Sequence, residues 1–362
     1  FLSGGLDSSI IAAIAKRHVS DVATFTVKFP YASFDESGHA ESVAAHIGSR
    51  HTTIELDQQN CVEGIEHLLS QIDQPFADSS MLPSFLLCRA TKQYVTVALG
   101  GDGADELFFG YPNFKLLRAA RVMAALPEVV GGALRAAARL MPDSSAYMNR
   151  AFLLRQLSYG VGKPASWQSL YWMAAIPPLA QARIWRDAAG AEADFAQALA
   201  SRFPAEAGLS LLEQCQRQFI SAYLADDILQ KMDRASMNVS LEVRNPYLAT
   251  AVSDYALSLP TQTLFRGMTG KRILRSLANN YLKEHTITRR KHGFGLPVSA
   301  LMRSDLRELA ESVLLDASNS MYEHVSFESV NGLWAEHTGN KRDHGKALWA
   351  LLMLAGFFRN QF

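Results

Sequence analysis

The chain has 362 residues, 48% hydrophobic and 19% charged, and at roughly 150 residues per domain it holds about two domains' worth of material, enough to bury a core without staples. Lys plus Arg and Asp plus Glu each total 35, so no global field favours nucleic acid or an anionic membrane. Cys61, Cys88 and Cys215 are widely spaced with no CxxC pair, which argues against a disulfide framework or zinc knuckle and for buried thiols in a reducing, cytoplasmic compartment.

In chain order, Phe1 and Leu2 run straight into the turn SGGLDSS. A strand normally has about five residues, so the chain is expected to begin inside one, as the C-terminal part of a longer protein. A helical stretch from Ser8 to Arg17 follows, then a β-rich run from Val22 to Phe29 and a helix from Ser37 to Ile47. His51 to Leu56 reads as a strand, Val62 to Ile72 and Ser84 to Gln93 as helices, and Tyr94 to Leu99 as an apolar strand ending at GGDGADE. This alternation predicts an α/β fold, a Rossmann-like parallel sheet with helices on both faces. In such sheets ligands bind beyond the carboxyl ends of the strands, which is where both glycine-rich loops fall.

After Tyr111 the pattern turns helical. Leu116 to Met141 is rich in Ala, Leu and Arg and is expected to break at Pro127 and at Gly131-Gly132, with a basic stripe that reads as a solvated face. Pro127, Glu128 and Arg135 also cut the longest apolar stretch below membrane-spanning length, and no signal peptide is visible. Helical patterns resume from Leu211 to Gln230 and from Leu301 to the end. With no repeats or clear linkers, a single compact unit with a largely helical C-terminal half is the simplest account.

The loop Ser3–Ser9 is suited to phosphate. Gly4 and Gly5 allow main-chain N–H groups to approach an anion, and Ser8 and Ser9 open a helix whose first N–H groups and positive dipole end are available. The hydroxyls of Ser3, Ser8 and Ser9 can donate to phosphate oxygens. Asp7 fits once a divalent metal is added, since its carboxylate can hold Mg²⁺ bridging those oxygens. Walker A and the GxSxG hydrolase elbow are absent. A plain strand–helix turn is the bland alternative. In the second loop, Asp102, Asp105 and Glu106 among three glycines suggest metal or acid–base chemistry, and the EF-hand pattern is missing. A solvated acidic turn is the alternative there.

SGGLDSS resembles the PP-loop of the ATP pyrophosphatases, which cleave ATP between its α and β phosphates, and its spelling is most similar to the asparagine synthetase branch. ALGGDGADELFFGY resembles the second acidic segment of that branch. Phe34 to Ser37, Gln74 to Ser80, the long run DDILQKMDRASMNVSLEVRNPYL, Lys271 with Leu274 and Arg275, RKHGFGLP and the terminal LWALLMLAGFFR extend the likeness over most of the chain. Residues 116–210 show little that matches.

The resemblance implies an ATP site built by Phe1, Leu2, Ser3, Gly4, Gly5, Asp7, Ser8, Val27, Gly100, Gly101 and Lys271, with Phe1 and Val27 around the adenine. It implies Asp7 and Asp105 as the Mg²⁺ ligands, Asp102 as a proton-handling residue where better-studied forms carry glutamate, and Lys291 as a catalytic cation on the phosphates. Gly100 stands in place of a usual serine. Lys271 and Arg275, one helical turn apart, are placed to face one anion or, equally, to form an exposed helix face. Asp233, Arg234, Glu242 and Arg244 are expected to form a buried polar network shaping the acceptor site.

The implied division is residues 1–115 as nucleotide-binding core, 116–210 as helical insertion, 211–300 as substrate and ATP-site elements and 301–362 as C-terminal helices. The implied reaction converts L-aspartate, ATP and ammonia to asparagine, AMP and pyrophosphate. Ammonia is expected from glutamine through an N-terminal glutaminase domain that this chain does not include, and a homodimer is left open. Two other readings stand beside it: adenylation of a different acid, as in β-lactam-forming relatives, and an idle nucleotide-binding scaffold.

Overall fold

A computed structural model of the chain describes residues 1–141, 149–187, 190–204, 206–289 and 293–361. The chain divides into two compact units, each assembled from separate stretches of sequence. The first comprises Phe1–Asp57, Ser80–Leu116 and Leu212–Gly295, and the second Gln58–Ser79, Leu117–Leu211 and Leu296–Phe362.

The first unit holds the named strands. Helix α1 (Leu6–His18) follows the opening turn, and β1 (Ala23–Lys28), α2 (Ser37–Ile47) and β2 (Arg50–Glu55) come next. β1 and β2 pair in parallel, in register from Ala23↔Arg50 to Lys28↔Glu55. Thr24, Phe25, Thr26 and Val27 are all buried, so β1 is covered on both faces, and β-branched and aromatic residues suit that position. Asp35 accepts from the Ser37 N–H (3.1 Å) at the start of α2, and Gly48 at φ 70° ends it in the left-handed conformation.

Helix α3 (Gln58–Gln71) belongs to the second unit, whereas α4 (Met81–Thr91) returns to the first and is buried along most of its length. β3 (Val97–Leu99) pairs in parallel with β4 (Glu242–Arg244). Sequence patterning misses β4, which is only 3 residues long. Cys88, Ala98 and Leu241 form the core beneath β3 and β4, with Phe1, Val95, Met232, Val239 and Val243 packed against them. Two hydrogen bonds flank the opening dipeptide: Phe1 N donates to Leu99 O and Leu2 N to Phe25 O, each at 2.8 Å. Phe1 and Leu2 therefore lie between β1 and β3. The observed architecture is mixed α/β with two small parallel sheets.

Tight helical turn α5 (Ala104–Leu107) follows the second glycine-rich loop. The helix expected from Leu211 to Gln230 runs on to Met237 and has a π-helical centre, Phe219–Ile228, flanked by α-helix. This geometry brings Phe219 to 5.0 Å from Phe114 and Tyr223 to 5.6 Å from Tyr111, centroid to centroid. Four rings pack together along this stretch, and periodicity alone does not report the helix type.

Helices α6 (Pro112–Ala125) and α7 (Glu128–Leu140) break at Pro127, as its fixed backbone requires. The expected break at Gly131-Gly132 does not occur, because α7 runs through both. Gly131 instead permits a close helix crossing: a Cβ there would stand 2.8 Å from Ser158 O. In the second unit the terminal helix Gly345–Gln361 buries Leu348, Trp349, Leu351, Leu352 and Met353. Among the described residues no helix is long and apolar enough to cross a membrane. Cys61, Cys88 and Cys215 are buried and none forms a disulfide, as the composition predicts.

Candidate active site

The opening turn is held by its own serines. Ser8 Oγ accepts from Ser3 N (3.2 Å) and lies 3.1 Å from Ser3 Oγ, while Gly5 N donates to Ser3 Oγ (3.3 Å). Gly4 takes a left-handed backbone at φ 69°, and a Cβ on it would come 2.5 Å from the carbonyl carbon of His39 in α2. Glycine is needed there on both counts. The turn delivers the chain into α1, whose first N–H groups point out of the helix end without intrahelical acceptors.

Gly101 brings the second loop to the first: a Cβ on it would stand 3.4 Å from Ser8 N and 3.6 Å from Asp7 Cβ. Asp102 is half-buried in the turn before α5, and Asp105 and Glu106 are buried at the start of α5. Asp7 and Asp105, 98 residues apart in sequence, converge on one ammonium group. Lys271 Nζ lies 2.5 Å from Asp7 Oδ2 and 2.5 Å from Asp105 Oδ1. The three side chains are 7%, 15% and 11% exposed for Lys271, Asp7 and Asp105 respectively. Asp7 Oδ1 is buried and accepts no hydrogen bond among the described residues.

The fold aims Lys271 through its main chain. Its backbone is left-handed at φ 53°, its N–H donates to Phe108 O (2.7 Å), and its carbonyl accepts from Arg275 N (2.8 Å) in the helix Arg272–Ala278. Gly270 packs so closely on Phe109 O that no Cβ fits, and Gly110 leaves room for Lys271 Cε and Asp105 Oδ1, which a Cβ would overlap. Strain in a non-glycine residue at a polar cluster is a mark of function.

Tyr247, Tyr111, Glu106 and Gly110 also belong to this neighbourhood; sequence reading groups Glu106 with the carboxylates of the second loop and gives the other three no role. Tyr247 Oη donates to Asp7 O (3.2 Å), and burial, with Asp7 and Asp105 adding, pushes its hydroxyl up. Tyr111 Oη donates to Glu106 Oε1 (2.6 Å), and burial followed by Glu106 pushes that hydroxyl well up too. Both phenols therefore remain neutral donors. Tyr247 falls within LEVRNPYL and the other three within ALGGDGADELFFGY, so the segments carry the signal while the individual roles depend on contacts.

The other expected residues are placed as follows, and two of the expected groupings change. The Phe1 ring packs against the core under β3, and its N–H group faces Leu99 O. Leu2 is 1% exposed and Val27, paired with Ile54 in β1, is 4% exposed. Gly100 N donates to Arg244 O (2.8 Å), and Asn245 Oδ1 occupies the space a side chain at Gly100 would need. Lys271 and Arg275 do not face one anion: Arg275 donates to the carbonyls of Gly270 and Ile287. The buried network of Asp233, Arg234, Glu242 and Arg244 is not formed either. Asp233, Glu242 and Arg244 are exposed, and Arg244 Nε donates to Glu242 Oε1 (2.7 Å) on the surface, because residues two apart on β4 share its open face. Lys291 lies outside the described residues.

Among the described residues no group of three or more His, Cys, Asp and Glu side chains is placed to hold a metal. The convergent set is two carboxylates and a lysine.

The sequence profile described as asparagine synthase matches residues 1–359. Among curated proteins, asparagine synthetase [glutamine-hydrolyzing] 1 of Bacillus subtilis is 26% identical over 356 residues, covering 98% of this chain and 54% of the relative. A putative asparagine synthetase [glutamine-hydrolyzing] of Mycobacterium tuberculosis is 29% identical over 359 residues, covering 98% of this chain and 53% of the relative. Putative asparagine synthetase [glutamine-hydrolyzing] 2 of Methanocaldococcus jannaschii is 33% identical over 113 residues, covering 31% of this chain and 22% of the relative. The chain thus spans about half the length of the first two relatives.

Proposed function

The chain belongs to the asparagine synthase family of carbon–nitrogen ligases, and from that premise we propose that it forms an amide on a carboxylic acid, L-aspartate, using ATP and ammonia. The side-chain carboxylate attacks the α-phosphorus of ATP, and pyrophosphate leaves. Ammonia then attacks the acyl carbon, loses a proton and displaces AMP, giving asparagine. The observation that carries this reading is the convergence of Asp7, from the phosphate loop, and Asp105, from the second acidic loop, on one point 2.5 Å from each.

Two carboxylates meeting there fit a divalent cation, and the buried Asp7 Oδ1 with no donor supplies a free oxygen ligand. Bound between them, Mg²⁺ would supply positive charge to the phosphates and to departing pyrophosphate. In the ATP site, the first N–H groups of α1 and the hydroxyls of Ser3 and Ser8 hold phosphate oxygens. Gly4 and Gly5 let the main chain reach them, Gly100 and Gly101 admit the nucleotide from the other loop, and Phe1, Leu2 and Val27 border it. Lys271, and Lys291 by its family position, place further positive charge on the phosphates. Asp102 takes the proton that ammonia sheds.

The hydrogen bonds on both sides of Phe1–Leu2 support joining β2, β1, that dipeptide, β3 and β4 into one parallel sheet of the PP-loop kind. The glutamine-hydrolyzing relatives support glutamine as the ammonia source, through a glutaminase domain in cis, and buried thiols support a cytoplasmic setting.

Pyrophosphate release with ATP, Mg²⁺, ammonia and a panel of acids tests this reading. Release should depend on aspartate, and a rate that ignores aspartate while responding to another acid would transfer the reading to that acid. Asp7→Asn and Asp105→Asn should each abolish release. Asp102→Ala should leave measurable pyrophosphate formation while amide formation falls by about 10²-fold or more, the usual worth of a general base.

A further inference from the structure

We infer that Lys271 is the resident counter-cation of the phosphate site, holding the position between Asp7 and Asp105 and releasing both carboxylates only when phosphate is present to receive its ammonium group. The inference rests on the proposed use of Asp7 and Asp105 as metal ligands, and it concerns how that site is loaded.

The ammonium occupies the place a metal would take, 2.5 Å from each carboxylate oxygen. The Lys271 side chain is 7% exposed, and Asp7 Oδ1 has essentially no accessible surface. A divalent cation therefore reaches these carboxylates only if Nζ withdraws. If it stayed, two cations would share two carboxylates within a few ångströms in a poorly solvated setting, where like-charge repulsion is strong.

The main chain of Lys271 is not free to take part in that withdrawal. It is tied to Phe108 O and Arg275 N, wedged by Gly270 on Phe109, and set left-handed at the start of a helix. The motion is confined to the four-carbon stem, whose ammonium is a rotatable point charge. The same loop pair offers the phosphate-binding N–H groups of α1, so an anion seated there gives Nζ a new partner close to the old one.

Two consequences follow by linkage. Lys271 competes with Mg²⁺ for Asp7 and Asp105, so the protein without nucleotide binds the metal weakly. Phosphate relieves that competition, so metal and nucleotide bind with positive coupling and enter together.

The test uses the folded chain, without nucleotide, acid or ammonia, titrated with MgCl₂ and read as the shift in thermal midpoint. Lys271→Met should bind Mg²⁺ at least about tenfold more tightly than the wild type, within the range usual for coupled sites. Equal affinities would overturn the inference. Lys271→Arg keeps the cation and serves if the methionine variant fails to fold. Its Mg²⁺ affinity should stay at or below the wild-type value, and a rise above that value would also overturn it. Neither readout involves turnover. A protein that releases no pyrophosphate with any acid, yet shows the Mg²⁺ difference, keeps the competition and loses the proposed reaction.

Discussion

Gly110 shows how a residue without chemistry of its own sets up a charged cluster. A methyl group there would overlap both Asp105 Oδ1 and Lys271 Cε, the two atoms whose approach closes the carboxylate–lysine set. Gly110→Ala should therefore cost about 1–3 kcal/mol, the usual cost of overpacking, and should reduce pyrophosphate release at the same time. Urea denaturation together with the release assay checks both, and a variant unchanged in each would separate Gly110 from the site. SGGLDSS and GGDGADE stand out in the sequence as candidate loops because glycines, serines and carboxylates crowd into them. Lys271 stands out only through its family match, and its pairing with two carboxylates does not stand out at all. They lie 264 and 166 residues away in sequence, and only the folded main chain brings them within 2.5 Å.

At the scale of elements, the contact between the opening turn and α2 is exacting. Gly4 is left-handed and abuts the main chain of His39. Gly4→Ala carries the left-handed penalty of about 1–2 kcal/mol and must also push α2 away. Binding of a fluorescent ATP analogue should fall sharply in this variant. Gly38→Ala, one residue from His39 on the same helix, meets nothing within 4 Å, and replacing a helical glycine should leave nucleotide binding unchanged and raise stability by up to about 1 kcal/mol. A common loss in both variants would point to α2 itself rather than to the loop contact. Most helices and the longer strands fall where periodicity and capping residues place them. β4 escapes because three residues, EVR, carry no alternation that can be read, and the π-helix at Phe219–Ile228 escapes because its apolar pattern reads equally as an α-helix.

At the scale of the whole molecule, stability carries a pH dependence through a histidine of the second unit. That residue, His337, is fully buried, donates from Nε2 to Ser299 O (3.1 Å) and accepts the His344 N–H (3.1 Å) on Nδ1. Burial, reinforced by Arg303 and opposed by Asp343, pushes its imidazole down to about 4. In the unfolded chain the group has its ordinary value of 6.5, so the unfolded state binds the proton first. The stability this histidine contributes is complete above pH 6.5 and is lost as the pH falls toward 4, by an amount on the order of 1–3 kcal/mol. Melting of the wild type should thus fall between pH 7 and 5. His337→Gln should start lower at pH 7 and lose less over that interval, and parallel curves would remove His337 as the cause.

Composition and local pattern by themselves determine the balanced charge, the buried thiols, the alternation of strands and helices in the first 110 residues, and two loops fit for phosphate and acid chemistry. These follow from residue type and short-range spacing, which sterics and hydrogen-bonding capacity constrain directly. Tertiary structure alone decides that Phe1–Leu2 lies between β1 and β3, that the Phe1 ring belongs to the core, that Glu242 and Arg244 face solvent, and that Arg275 holds backbone carbonyls. It alone places one lysine between two aspartates from different loops. Each of these depends on contacts between residues far apart in the chain, and no local energy term in the sequence encodes them.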